Sequence, residues 1–151
     1  MTDASAPAPS GLSNALAIAL AIVLMVPGYF VGGLAVIVYT FLSDIGFGMR
    51  SDGSWIPFFD GLMTIIWRVI APEFIRGVVA AGAAVWLTLL VVKRANRQTV
   101  GVATIAIYVT VVGVLALLSI VMKGFNGYLL LSMAALAAGL VVGGLTAMEA
   151  K

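Results

Sequence analysis

Asp60, Arg68, Glu73 and Arg76 are the one place in this chain where carboxylates and guanidinium groups gather. Glu73 and Arg76 stand three apart, close enough to pair on one helical turn. Asp60, Thr64 and Arg68 recur every four positions and form a polar stripe on an otherwise apolar helix. Such a group could hold an ion, a lipid headgroup or a proton. It could equally be a salt-bridge network that docks one helix on another, and this plainer reading is the one expected. Acid–base catalysis is a poor fit. Asp60 and Glu73 both have an arginine nearby to keep them ionised, so they cannot share a proton as a carboxyl dyad does.

Few other side chains could do chemistry. The chain has no Cys and no His. Thiolate nucleophiles, disulfides and the commonest general base and zinc ligand are therefore missing. Gly46-Phe47-Gly48 follows no strand and precedes no Lys-Ser/Thr pair, so it reads as a connector rather than a phosphate-binding turn. No catalytic residue, cofactor or metal site is expected. Past its first residue, Thr99, the span 99–122 offers Thr104, Thr110 and Ser119 as its polar groups, with Tyr108 beside them. They could line a pore or bond across helices. The simpler expectation is a bond from each hydroxyl back to a carbonyl one turn earlier.

The elements that position these residues follow from where charge is missing. Charged residues make up 9% of the 151 residues and hydrophobic ones 63%, whereas a soluble domain spends about a quarter on charge. No charge occurs between Asp3 and Asp44, or in 77–92, 98–122 and 124–148. Charge is excluded over such lengths where the surroundings cannot solvate it, and a bilayer core is the usual case. The chain therefore reads as a single membrane domain. Its predicted fold is all-α: an integral membrane bundle of four transmembrane helices plus one short interfacial or re-entrant helix.

Residues 1–13 read as a flexible Ala/Pro/Ser tail with no basic n-region of a signal peptide. Ser13-Asn14 is a capping pair for a first span over 15–42. Pro27-Gly28 should kink that span. A hairpin turning there would leave two halves too short to cross and backbone groups unpaired in lipid, so one kinked span is expected. Residues 43–72 form an external loop with an interfacial helix over about 57–70. Pro57 opens that helix, Pro72 ends it, and Trp55 and Trp67 suit the headgroup level. The remaining spans are 73–92, 99–122 and 128–148.

Lys93, Arg94 and Arg97 crowd one five-residue link and supply three of the eight basic residues. The positive-inside rule makes that link cytoplasmic and places both termini with it, most simply in a bacterial plasma (inner) membrane. The link is a topology signal rather than a nucleic-acid footprint. In the fourth span Ser132, Ala135, Gly139, Gly143 and Ala147 share one face of small residues, with Ala138 and Gly144 widening it. Small residues let helix backbones approach where lipid competes with every apolar side chain, so this is a predicted packing face. Gly28/Gly32 and Gly77/Ala81 repeat the pattern more weakly.

Together these features predict a small non-catalytic membrane protein, an accessory or structural subunit. Its expected partners are membrane lipids and other membrane-protein subunits, or itself as a homo-oligomer; nucleic acid is not among them. The alternative is a small oligomeric channel or transporter, and a lipid-acting enzyme ranks third.

Overall fold

The computed structural model describes residues 11–46, 64–93 and 95–150. The described chain is all-helical, and four helices are long and apolar enough to cross a membrane. Helix α1 spans Gly11–Gly46, and α2 spans Ala71–Val91 behind a π-helical turn at Ile66–Ile70. Helix α3 spans Arg97–Lys123, and α4 spans Gly127–Glu149.

Helix α1 runs unbroken through Pro27 for 36 residues, about 54 Å at 1.5 Å per residue. That exceeds the roughly 30 Å hydrocarbon core. No hairpin forms at Pro27-Gly28. Of the capping pair expected at its start, Asn14 does other work. The helix already includes residues 11–14, and Asn14 Oδ1 accepts the Asn96 backbone N–H at 2.8 Å. Asn14 thus ties α1 to the α2–α3 link. Asn96 in turn caps α3 by accepting from the Thr99 N–H at 3.1 Å, and Asn126 caps α4 through the N–H groups of Tyr128 and Leu129. Gly124, at φ 80°, ends α3 in the left-handed region that glycine adopts without strain.

Pro72 does not end a helix. The backbone is helical from residue 64 to 91, so the described part of the expected interfacial helix, residues 64–70, continues into α2. No separate fifth helix stands among the described residues; positions 57–63 lie outside them. The physical reason is the π turn. Proline crowds the carbonyl four residues back, here Arg68, and lacks an N–H. Widening that turn makes room, and the Ala71 N–H reaches back five residues to the Ile66 carbonyl.

The helices do not pack in chain order. Helix α2 is central, with α1 on one side and α4 on the other, while α3 packs chiefly on α4. Helices α2 and α4 run parallel, with Gly77 beside Gly139 and Val78 beside Gly143. Their backbones touch. A Cβ on Gly139 would collide with the Phe74 carbonyl and lie 3.1 Å from the Gly77 Cα, and one on Gly143 would lie 2.7 Å from the Val78 Cα. On the other side of α2, a Cβ on Gly28 would fall 2.8 Å from the Ala80 carbonyl oxygen, and one on Gly32 3.2 Å from the Arg76 Cα.

Two small clusters fill the interior. Ala80, Ala81, Ala84, Tyr108, Val112, Leu136 and Leu140 form one, and Ala17, Val85, Leu89, Val100 and Ala147 the other. The buried Tyr108 hydroxyl donates across the bundle to the Ala21 carbonyl, closing α3 on α1 at that level. Thr110 follows the plainer expectation, donating to the Ala106 carbonyl at 2.7 Å. Beyond Val112, residues 113–123 of α3 are all exposed or half-buried.

Replacing Gly139 or Gly143 by leucine should lower the detergent-solubilised protein's thermal midpoint, since overpacking costs roughly 1–3 kcal/mol. Ala138→Leu, at an exposed position of the same helix, should not. Circular dichroism melts check this; unchanged midpoints for both glycine variants would contradict the crossing.

Candidate functional site

The polar group sits where α2 leaves the apolar layer. Arg76 lies fifteen residues from Val91 and Glu73 eighteen, or about 22 Å and 27 Å along α2. With Val91 set at one face of a hydrocarbon core of about 30 Å, Arg76 falls just inside the other face and Glu73 at it, with Arg68 in the turn beyond. Arg76 Nη1 donates to both Glu73 carboxylate oxygens, at 2.8 and 3.1 Å. It also donates to the Tyr29 hydroxyl of α1 at 3.1 Å, and the guanidinium carbon lies 5.2 Å from the Tyr29 ring centroid. A charge held this way beside hydrocarbon has a counter-ion, a hydroxyl and an aromatic face in place of water. Nε of Arg76 is shielded from solvent and donates to nothing among the described residues.

Gly32 makes this geometry possible. The α2 backbone at Arg76 presses on α1 at Gly32, so the guanidinium reaches Tyr29, one turn away on the same face. The π turn sets the other end. It places Trp67 flat against Tyr39, with ring centroids 6.0 Å apart and planes 11° apart, and the Tyr39 hydroxyl donates to the Trp67 carbonyl at 3.3 Å. Between these contacts lies a cavity of about 300 Å³ lined by Val36, Thr40, Ser43, Trp67, Arg68, Pro72, Glu73 and Arg76. The Thr40 and Ser43 hydroxyls donate to their own helix, at the Val36 and Thr40 carbonyls.

The sequence-derived cluster is therefore brought together in part. Glu73 and Arg76 pair, and Arg68 lines the same cavity from an exposed position. Asp60 lies outside the described residues. Of the basic link, Lys93 is exposed, Arg94 lies outside the described residues, and Arg97 donates to the Ala150 carbonyl, where a cation suits the carbonyl end of α4. On the small-residue face, Ala135, Gly139, Gly143 and Ala147 are buried, and the two glycines meet α2. Gly144 is buried against Ile105 of α3 instead, Ala138 points outward, and half-buried Ser132 bonds to its own helix at the Leu129 carbonyl.

The sequence does not mark Tyr29, Tyr39 and Trp67 as one group. The two tyrosines carry one signal, spacing: Tyr29, Gly32, Val36 and Tyr39/Thr40 follow one another at three- and four-residue steps along α1. Chemically, the site offers guanidinium donors, hydroxyls and aromatic faces to an anion. No group of three His, Cys, Asp or Glu residues converges as a metal site among the described residues.

Compared with known proteins, the chain matches no family model, no curated sequence and no solved structure, so the functional reading rests on this geometry.

A double-mutant cycle of Glu73→Gln and Arg76→Gln should show a favourable coupling of roughly 0.5–1 kcal/mol in thermal stability. Each single variant leaves one charge at the membrane boundary without its counter-ion, and the double variant leaves none. Zero coupling would mean that the 2.8 Å contact does not stabilise the fold.

Proposed function

We propose that this chain is a non-catalytic accessory or structural subunit of a membrane assembly. In this reading it sits in a bacterial plasma membrane with both termini cytoplasmic, the side marked by Lys93 and Arg97. The observation that carries the reading is the uneven use of its apolar surface. The α2–α4 crossing consumes the strongest small-residue face inside the chain. Helices α1 and α3 meanwhile turn large apolar side chains outward over much of their length, among them Phe30, Leu34, Ile37 and Phe41 on α1 and Leu117, Leu118, Val121 and Met122 on α3. Lipid can cover such faces, and so can the helices of other subunits.

A channel or transporter formed by the chain alone would need a polar path. The described interior is alanine, valine and leucine with Tyr108, whose hydroxyl is engaged by the Ala21 carbonyl. Thr88 and Thr104 are buried there, but two hydroxyls do not line a route across the bundle. This packing weighs against a path through a single copy and leaves the oligomeric channel to the test below, while the arginine-bound state of Glu73 weighs against a lipid-acting enzyme that uses it as a base.

Purification in a mild detergent tests the proposal. Stoichiometric co-purification of other membrane proteins is the expected result. A lone homo-oligomer that passes solute in liposomes would overturn it.

A further inference from the structure

We propose that the cleft between the end of α2 and the α2–α3 link binds the headgroup of one anionic phospholipid, its phosphodiester held by Lys93 and Arg97. This inference concerns the chain by itself and holds whether or not other subunits join it.

The first observation is the place and its lining. Helix α2 stops at Val91, the backbone turns through residues 92–96, and α3 begins at Arg97. The link is pinned at its far end, because Asn14 of α1 holds the Asn96 N–H at 2.8 Å. A cavity of about 240 Å³ lies in this turn, lined by Leu89, Leu90, Lys93, Ala95 and Arg97. Its lining is thus part aliphatic and part cationic.

The second observation is charge that nothing balances. Lys93 and Arg97 are both exposed, so an incoming headgroup can reach them. Lys93 makes no hydrogen bond or ion pair with any described residue. Arg97 gives one N–H to the Ala150 carbonyl, which fixes the guanidinium and leaves its charge uncompensated. Glu149 lines a neighbouring cavity with Arg97 but forms no ion pair with it. The described lining of the cleft therefore carries two positive charges and no carboxylate. A phosphodiester brings one negative charge, and a guanidinium fork beside an ammonium suits its oxygens.

The third observation is what lies next to the cations. Leu90 and Val91 are exposed on α2, and Trp86 is half exposed five residues before Val91. That is about 8 Å along the helix. Tryptophan belongs at the headgroup level of a bilayer, which sets the height of the link. Leu90 is part of both the exposed apolar surface and the cleft. A molecule seated there meets aliphatic carbon and cationic nitrogen within a helical turn. A lipid's phosphate and the glycerol end of its acyl chains match that sequence, whereas a free anion uses only the cationic part. Basic groups beside membrane helices recruit anionic headgroups on this principle.

The test uses the full chain in mild detergent, titrated with phosphatidylglycerol or phosphatidylcholine and followed by native mass spectrometry. One phosphatidylglycerol per chain should be retained at concentrations where phosphatidylcholine is not. Lys93→Gln should weaken that retention about fivefold, and Arg97→Gln at least as much. Lys123→Gln, at an exposed position in the last turn of α3, should leave it unchanged. Inorganic phosphate at equal concentration should not displace the lipid. If Arg97→Gln unfolds by circular dichroism, Lys93→Gln and the comparison of lipids on the unaltered chain decide alone, since Lys93 has no described contact to lose. Equal retention of the two lipids, or of phosphatidylglycerol by a folded Lys93→Gln variant, would overturn the proposal. So would displacement by inorganic phosphate, which marks a simple anion site. A loss with Lys123→Gln as large as with Lys93→Gln would replace the cleft by diffuse attraction to charge. A dimer that binds no lipid and is broken by Lys93→Gln would assign the cleft to a second copy of the chain.

Discussion

Backbone contact between α2 and α4 at Gly77, Gly139 and Gly143 is the constraint from which the remaining arrangement follows. Inside a bilayer, apolar side chains gain little by leaving lipid for one another. Association depends instead on close approach, which brings many atoms into van der Waals range at once. Glycines on both helices permit that approach, and the parallel direction of α2 and α4 follows from an odd number of crossings between them. The loops could have allowed sequential neighbours to pair. The glycine faces instead bring together two helices that are not adjacent in the chain.

With one side of α2 occupied by α4, Gly28 and Gly32 bring α1 against the other side. That places α1 antiparallel to α2 and in register, so that Tyr29 meets Arg76 and Tyr39 meets Trp67. The boundary cluster is thus a product of helix packing rather than of local sequence. The π turn belongs to the same arrangement. It absorbs Pro72, keeps the helix continuous and turns the Trp67 ring and carbonyl toward α1. Helix α3 is held at one end by Tyr108, by Gly101 and by the facing Gly144 of α4, and beyond Val112 its residues are exposed or half-buried. An apolar cavity of about 310 Å³, lined from all four helices, lies beside that exposed half.

The four spans are legible in the sequence because exclusion of charge is a strong and local signal. The all-helical class follows from it, since backbone groups in hydrocarbon must be satisfied within a helix or a closed barrel. The small-residue spacing of Ala135, Gly139 and Gly143 is legible for a related reason, being a periodic pattern on one helix. Which helix it meets is not legible, because Gly77 and Gly139 are joined only in three dimensions. The role of Asn14 is hidden in the same way: locally it reads as a cap, and its acceptor is taken by the Asn96 N–H, 82 residues away. Pro72 misleads because proline usually marks a helix end, and a π turn leaves no plain trace in residue type. Glu73 and Arg76 are visible as a pair at i, i+3, whereas their Tyr29 partner lies 47 residues from Arg76.

The most direct test of this account needs no substitution. Solid-state NMR of the glycine-labelled chain in lipid bilayers reads Cα–Cα proximity between Gly77 and Gly139 directly. The account predicts a strong cross-peak, since a Cβ on Gly139 would stand only 3.1 Å from the Gly77 Cα. Absence of that cross-peak, in spectra that resolve both residues, would contradict the glycine crossing on which the bundle is built.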